Sequence, residues 1–126
     1  MDVKASARII FLLAAIYDFG LGVLFALFYP AIFSYLSIPS TNSPQYVVGG
    51  AVLIALFGVG FYFLYKNVDR NHDLYILGIL FKLSYVLMAV YFYFIAKSLH
   101  PVFALFAIPD ALILIPLILF YKKIYG

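Results

Sequence analysis

Asp18, Lys82 and Asp110 each stand inside a long apolar run. At the centre of a lipid-spanning helix an ionised side chain costs about 2.5–3.5 kcal/mol, so such residues point by default to a functional site. Two acids and one base leave one negative charge in excess. Either a proton on one carboxyl or a bound cation or cationic ligand balances it, because like charges at close range disfavour joint ionisation. The chemistry on offer is therefore proton holding or the binding of a small polar or amphipathic ligand. A purely structural reading stands beside it, in which Lys82 bridges the two acids as a buried clamp that fixes helix register. Tyr17 and Tyr85 flank the charges as further candidates for ligand or proton binding, and only Tyr85 is spaced to share a face with Lys82. Ser84 joins them if the helix rotation suits.

Those charges need helices to carry them. The 126 residues are 67% hydrophobic, 21% aromatic and only 10% charged, with a mean hydropathy of +1.13. A soluble domain carries about 25% charged residues, and disorder needs low hydrophobicity with high charge. Both classes are excluded, which leaves a membrane protein. Spans of about 20 apolar residues fall at 7–29, 46–65, 74–96 and 102–121. The runs lack the alternation of a barrel wall, so the expected fold is all-α: one domain, a bundle of four transmembrane helices. At about 1.5 Å per residue, Asp18 lies about 16 Å, Lys82 about 12 Å and Asp110 about 16 Å from the same end of the bundle. All three are near one level, close to the midplane.

Orientation follows from the other cations. Lys4, Arg8, Lys66, Arg70, Lys122 and Lys123 share one side if the spans alternate, and only Lys97 falls on the other. The positive-inside bias predicts cytoplasmic N and C termini and a cytoplasmic loop at 66–73. The net charge of +3 is scattered between apolar runs and forms no nucleic-acid patch. Pro30 is expected to end the first helix, since proline removes a donor and clashes with the preceding turn. The outer loop, 30–45, is then the longest connection. Within it Ile32, Phe33 and Leu36 recur at helical spacing, as a short interfacial helix would have them. That segment reads either as a lid over an outward pocket or as a plain connector.

Small residues, among them Gly22, Ala51, Ala55, Gly58 and Gly78, let helix backbones approach closely in lipid. Pro109, directly before Asp110, and Pro116 predict a kinked fourth helix, as at many midplane binding sites. His72 and His100 lie on opposite sides, so no haem or metal is expected to bridge them. Asp69, His72 and Asp73 read as a solvated loop before a metal site. Cysteine is absent, which removes disulfides and thiolate ligands. No nucleophile–base pair, phosphate loop or zinc motif is present; the sequence gives no sign of an enzyme and no cofactor is expected.

The stretch Pro44-Gln45-Tyr46 with Gly49-Gly50, then Asp69-Arg70, Gly78-Ile79-Leu80-Phe81-Lys82-Leu83 and Asp110, resembles small bacterial four-helix membrane proteins described as DoxX-like. The resemblance covers almost the whole chain. It implies a prokaryotic plasma membrane, a recurrent lysine in the third helix (Lys82) and a recurrent acid in the fourth (Asp110). It also brings an association with quinone-linked oxidation. Three functions are thus in play: binding or translocation of a small ligand or proton at the charge cluster, an accessory subunit of a larger respiratory or transport complex, and a quinone-linked enzyme subunit. The expected partners are the lipid bilayer and either further copies of the chain or a larger membrane complex.

Overall fold

The computed structural model describes residues 2–126, which are all-helical. The helices are α1 (Val3–Tyr35), α2 (Pro44–Lys66), α3 (His72–Val90), a π-helical extension of α3 (Tyr91–Ile95), and α4 (Pro101–Tyr125). Counting the extension with α3, four helices are long and apolar enough to cross a membrane. Polarity runs inside out. Leu27, Leu112 and Ile16 are 67%, 66% and 64% exposed, whereas Lys82 is 0% and Asp18 2% exposed. In water that distribution would be costly; against lipid it is the favourable one.

The first helix departs from expectation. Pro30 does not end it: the helix bends at Phe28 (φ −125°, ψ 16°) and continues to Tyr35. The proline removes the bond to Ala26 and crowds its carbonyl, yet helix resumes because Phe33 finds a buried seat against Phe25, Tyr29 and Phe103. The connection to α2 therefore shrinks to 36–43. It opens with Ser37 in the left-handed region (φ 57°). Ser37 donates to Ser34 O and Ile38 to Phe33 O, the paired bonds of a Schellman helix end. That turn folds Ile38 back beside Phe33.

The helices α1 and α2 form the most intimate pair. A Cβ on Gly22 would sit 2.5 Å from Ala51 O, and one on Gly58 2.5 Å from Phe19 N. Only glycine permits such backbone approach. Helix α3 meets α2 through Phe57 and Phe81, stacked at 4.0 Å, and through Gly78, which seats the Phe61 ring. Helix α4 is held to α3 by Tyr75, whose hydroxyl donates to Leu117 O at 2.6 Å. Helix α4 runs through Pro109 and Pro116 as one helix, Pro101–Tyr125.

The end of the bundle that carries both termini is densely packed. Phe11, Phe61, Leu64, Tyr75 and Leu117 are at most 1% exposed, and Tyr75 stands edge-on to Phe11 at 5.2 Å. Around this plug Lys4 pairs with Asp69 at 2.7 Å, Arg8 donates to Tyr65 O and Tyr125 to Val68 O. His72 stacks on Tyr125 and bonds Tyr121. Asp69 and His72 are thus engaged elsewhere, and no metal-binding group of three ligands occurs among the described residues.

Candidate functional site

Asp18 on α1, Lys82 on α3 and Asp110 on α4 converge in the interior. Lys82 Nζ donates to both Asp18 oxygens, at 2.9 and 2.7 Å, and to Asp110 Oδ1 at 2.6 Å. An ammonium has three N–H donors, and here its nitrogen lies within hydrogen-bonding distance of three carboxylate oxygens. The rings of Tyr17, Phe61 and Phe81 surround the same nitrogen at 5.4, 5.4 and 5.6 Å. Their electron-rich faces favour a cation at that range. The lysine is therefore placed by three helices and by an aromatic from the fourth, α2. A long side chain with this many partners is an ordered one.

Asp110 is bound on one side only. Its Oδ1 accepts from Lys82, and no protein donor among the described residues reaches Oδ2. The residue is only 5% exposed, and no fully enclosed side-chain polar atom lacks a partner. The free oxygen therefore owes its access to the space beside it, and that space is a cavity.

The cavity measures about 410 Å³ and has Asp18 and Asp110 at its deep end. That volume falls within the roughly 300–1,000 Å³ of ligand pockets, which combine apolar walls with a few convergent polar groups. Its walls are aromatic, with Phe25, Phe81, Phe103 and Phe106 prominent, and Phe33 and Ile38 close the end away from the termini. Gly50 also lines it and is exposed on α2, with nothing within 4 Å of where a Cβ would stand. The mouth thus opens beside the half of α2 away from the termini. The contacts between α2 and α3 described above all lie on the terminal side of it.

The two tyrosines do not bond the charges. Tyr17 donates to Phe106 O at 3.2 Å and Tyr85 to Phe103 O at 2.8 Å. Both carbonyls lie in the two turns before Pro109, and both tyrosines line the cavity. Tyr17 also contributes its ring to Lys82. Ser84 bonds Leu80 O on its own helix and stays outside the cluster. His100 caps α4, its Nδ1 accepting from Val102 N. Phe33, Ile38 and Gly50 were not singled out as site residues from sequence; the helical spacing of Ile32, Phe33 and Leu36 and the Gly49–Gly50 pair were the available signals.

The fold and site define a four-helix, membrane-compatible bundle with a charged centre and an apolar cavity above it. No protein-family model, curated protein or solved structure matches the chain.

Proposed function

We propose that the protein is an integral membrane protein that binds a small lipophilic molecule in this cavity, with the Asp18–Lys82–Asp110 cluster receiving its polar end. The observation that carries the reading is the junction of an apolar cavity of about 410 Å³ with a half-used, buried carboxylate at its deep end. The terminal side of the cluster is closed by Phe11, Phe61, Tyr75 and Leu117. Access from one side only supports binding over passage through the bundle. Both termini face the cytoplasm in this reading, supported by Lys4, Arg8, Lys66, Arg70, Lys122 and Lys123 at one end. The mouth then lies in the outer half of the bilayer.

The test uses a neutral probe and a variant that fills the cavity without touching the charges. Wild-type protein in phosphatidylcholine nanodiscs should bind 4-phenylbutanol saturably in calorimetric titration, beyond the partitioning seen with empty discs. Gly50→Leu should lose that binding, because Gly50 lines the cavity and nothing within 4 Å of its Cβ position holds an added side chain away from the mouth. Equal titration of wild type and Gly50→Leu would refute the reading.

A further inference from the structure

We infer that the molecule held in the cavity is a lipophilic ammonium ion, a primary or secondary amine on an apolar body, whose N–H donates to Asp110 Oδ2. The inference rests on the cavity being a binding site, as proposed above. Three observations select the class.

With both carboxyls ionised, as the inference requires, the cluster sums to one negative charge, since Lys82 is one cation against two carboxylates. In a poorly polarisable interior such an imbalance attracts a cation strongly and repels an anion. Asp110 Oδ2 needs a donor rather than an acceptor, because an ionised carboxylate accepts only. The walls then decide between kinds of cation. A metal ion of the calcium type requires six to eight oxygen ligands, and the cavity offers one free carboxylate oxygen among phenyl rings. An ammonium needs one strong acceptor and keeps its apolar substituents against those rings. Aromatic faces within reach of a cation add to the preference. Among the described residues, the charged groups that line the cavity are Asp18 from α1 and Asp110 from α4; α2 and α3 contribute none. Both Asp18 oxygens already accept from Lys82, which leaves Asp110 Oδ2 as the acceptor for a cation.

The mouth beside Gly50 fits this class as well. It lies on the exposed side of a membrane-compatible helix. A ligand with an apolar body reaches it by first dissolving in the bilayer, where hydrophilic cations do not enter.

The experiment compares 4-phenylbutylamine, 4-phenylbutanol and 4-phenylbutyrate, one body with three head groups, at pH 7. Uncharged phosphatidylcholine nanodiscs are used and empty discs subtracted. The amine is expected to bind about tenfold to a hundredfold more tightly than the alcohol, the range of one charge-assisted hydrogen bond, and the carboxylate not at all. Asp110→Asn should bring amine and alcohol to equal affinity. Far-UV circular dichroism and monodispersity check that this variant folds. Gly50→Leu, which leaves the cluster intact, should lose both ligands. Equal binding of amine and alcohol by wild type would overturn the ammonium assignment and leave the cavity reading standing. Preference for the carboxylate would overturn it in favour of Lys82 as the anchor. An amine preference that survives in Asp110→Asn or Gly50→Leu would place the amine elsewhere and overturn it too. Failure of all three probes, the alcohol included, would overturn the cavity reading and with it the assignment.

Discussion

Replacing Lys82 with methionine should separate a paired charge cluster from three unrelated polar residues. The substitution keeps most of the side-chain volume and removes the cation. Asp18 and Asp110 are left with side chains 3% and 7% exposed and no positive charge between them. Three hydrogen bonds to charged groups disappear. At about 1.5–3 kcal/mol each their simple sum overstates the loss, because one carboxyl can take a proton and bond the other. The appropriate figure is the cost of breaking a buried ion pair from one side, about 3–5 kcal/mol. The triple variant Asp18→Leu, Lys82→Met, Asp110→Leu removes every charge together. It should recover most of that loss, since apolar side chains of similar volume often stabilise as well as a buried ionic network. Unfolding in mixed micelles titrated with sodium dodecyl sulfate, followed by circular dichroism, gives both values. A loss below about 1 kcal/mol for Lys82→Met would refute the buried pairing. A triple variant as unstable as the single one would show that the cluster is needed as a clamp, and that apolar packing cannot replace it.

The close contact of α1 with α2 predicts that Gly22→Ala, which drives a methyl against Ala51 O and Ala55 N, costs about 1–3 kcal/mol in the same titration. Gly20→Ala, with nothing within 4 Å, should stay within about 1 kcal/mol of wild type. Tyr85→Phe removes the bond to Phe103 O and should cost about 0.5–1.5 kcal/mol without altering the amine preference at Asp110. Because the chain has no cysteine, single replacements report topology directly. A membrane-impermeant maleimide added to intact cells should label Asn42→Cys and spare Asp73→Cys, and the reverse pattern would overturn the cytoplasmic assignment of the termini.

Much of the fold was legible because its signals are local. Runs of apolar residues long enough for the bilayer, set against a mean hydropathy of +1.13, give the number of membrane-length helices. The rise per residue then places Asp18, Lys82 and Asp110 at one depth before any contact is known. Depth does not give direction. In lipid the outer and inner faces of a helix are both apolar, so hydropathy carries little record of which face turns inward. The rotation that aims all three charges at one point is set instead by packing, by Gly22 against Ala51 and by Phe61 over Gly78.

The misread end of α1 has the same origin. Pro30 is a strong local stop, yet the aromatic seat for Phe33 carries α1 onward to Tyr35. Tyr85 lines the cavity beside the cluster, and its hydroxyl bonds the carbonyl of Phe103 across the α3–α4 contact. By itself, the sequence determined four helices long and apolar enough to cross a membrane, with three charges near one level, because composition and helical rise act within one helix. Only the tertiary structure decided that Lys82 joins the two acids, that Asp110 keeps one oxygen free, and that a cavity stands beside it. Each of those depends on how side chains from different helices fill, or fail to fill, the same space.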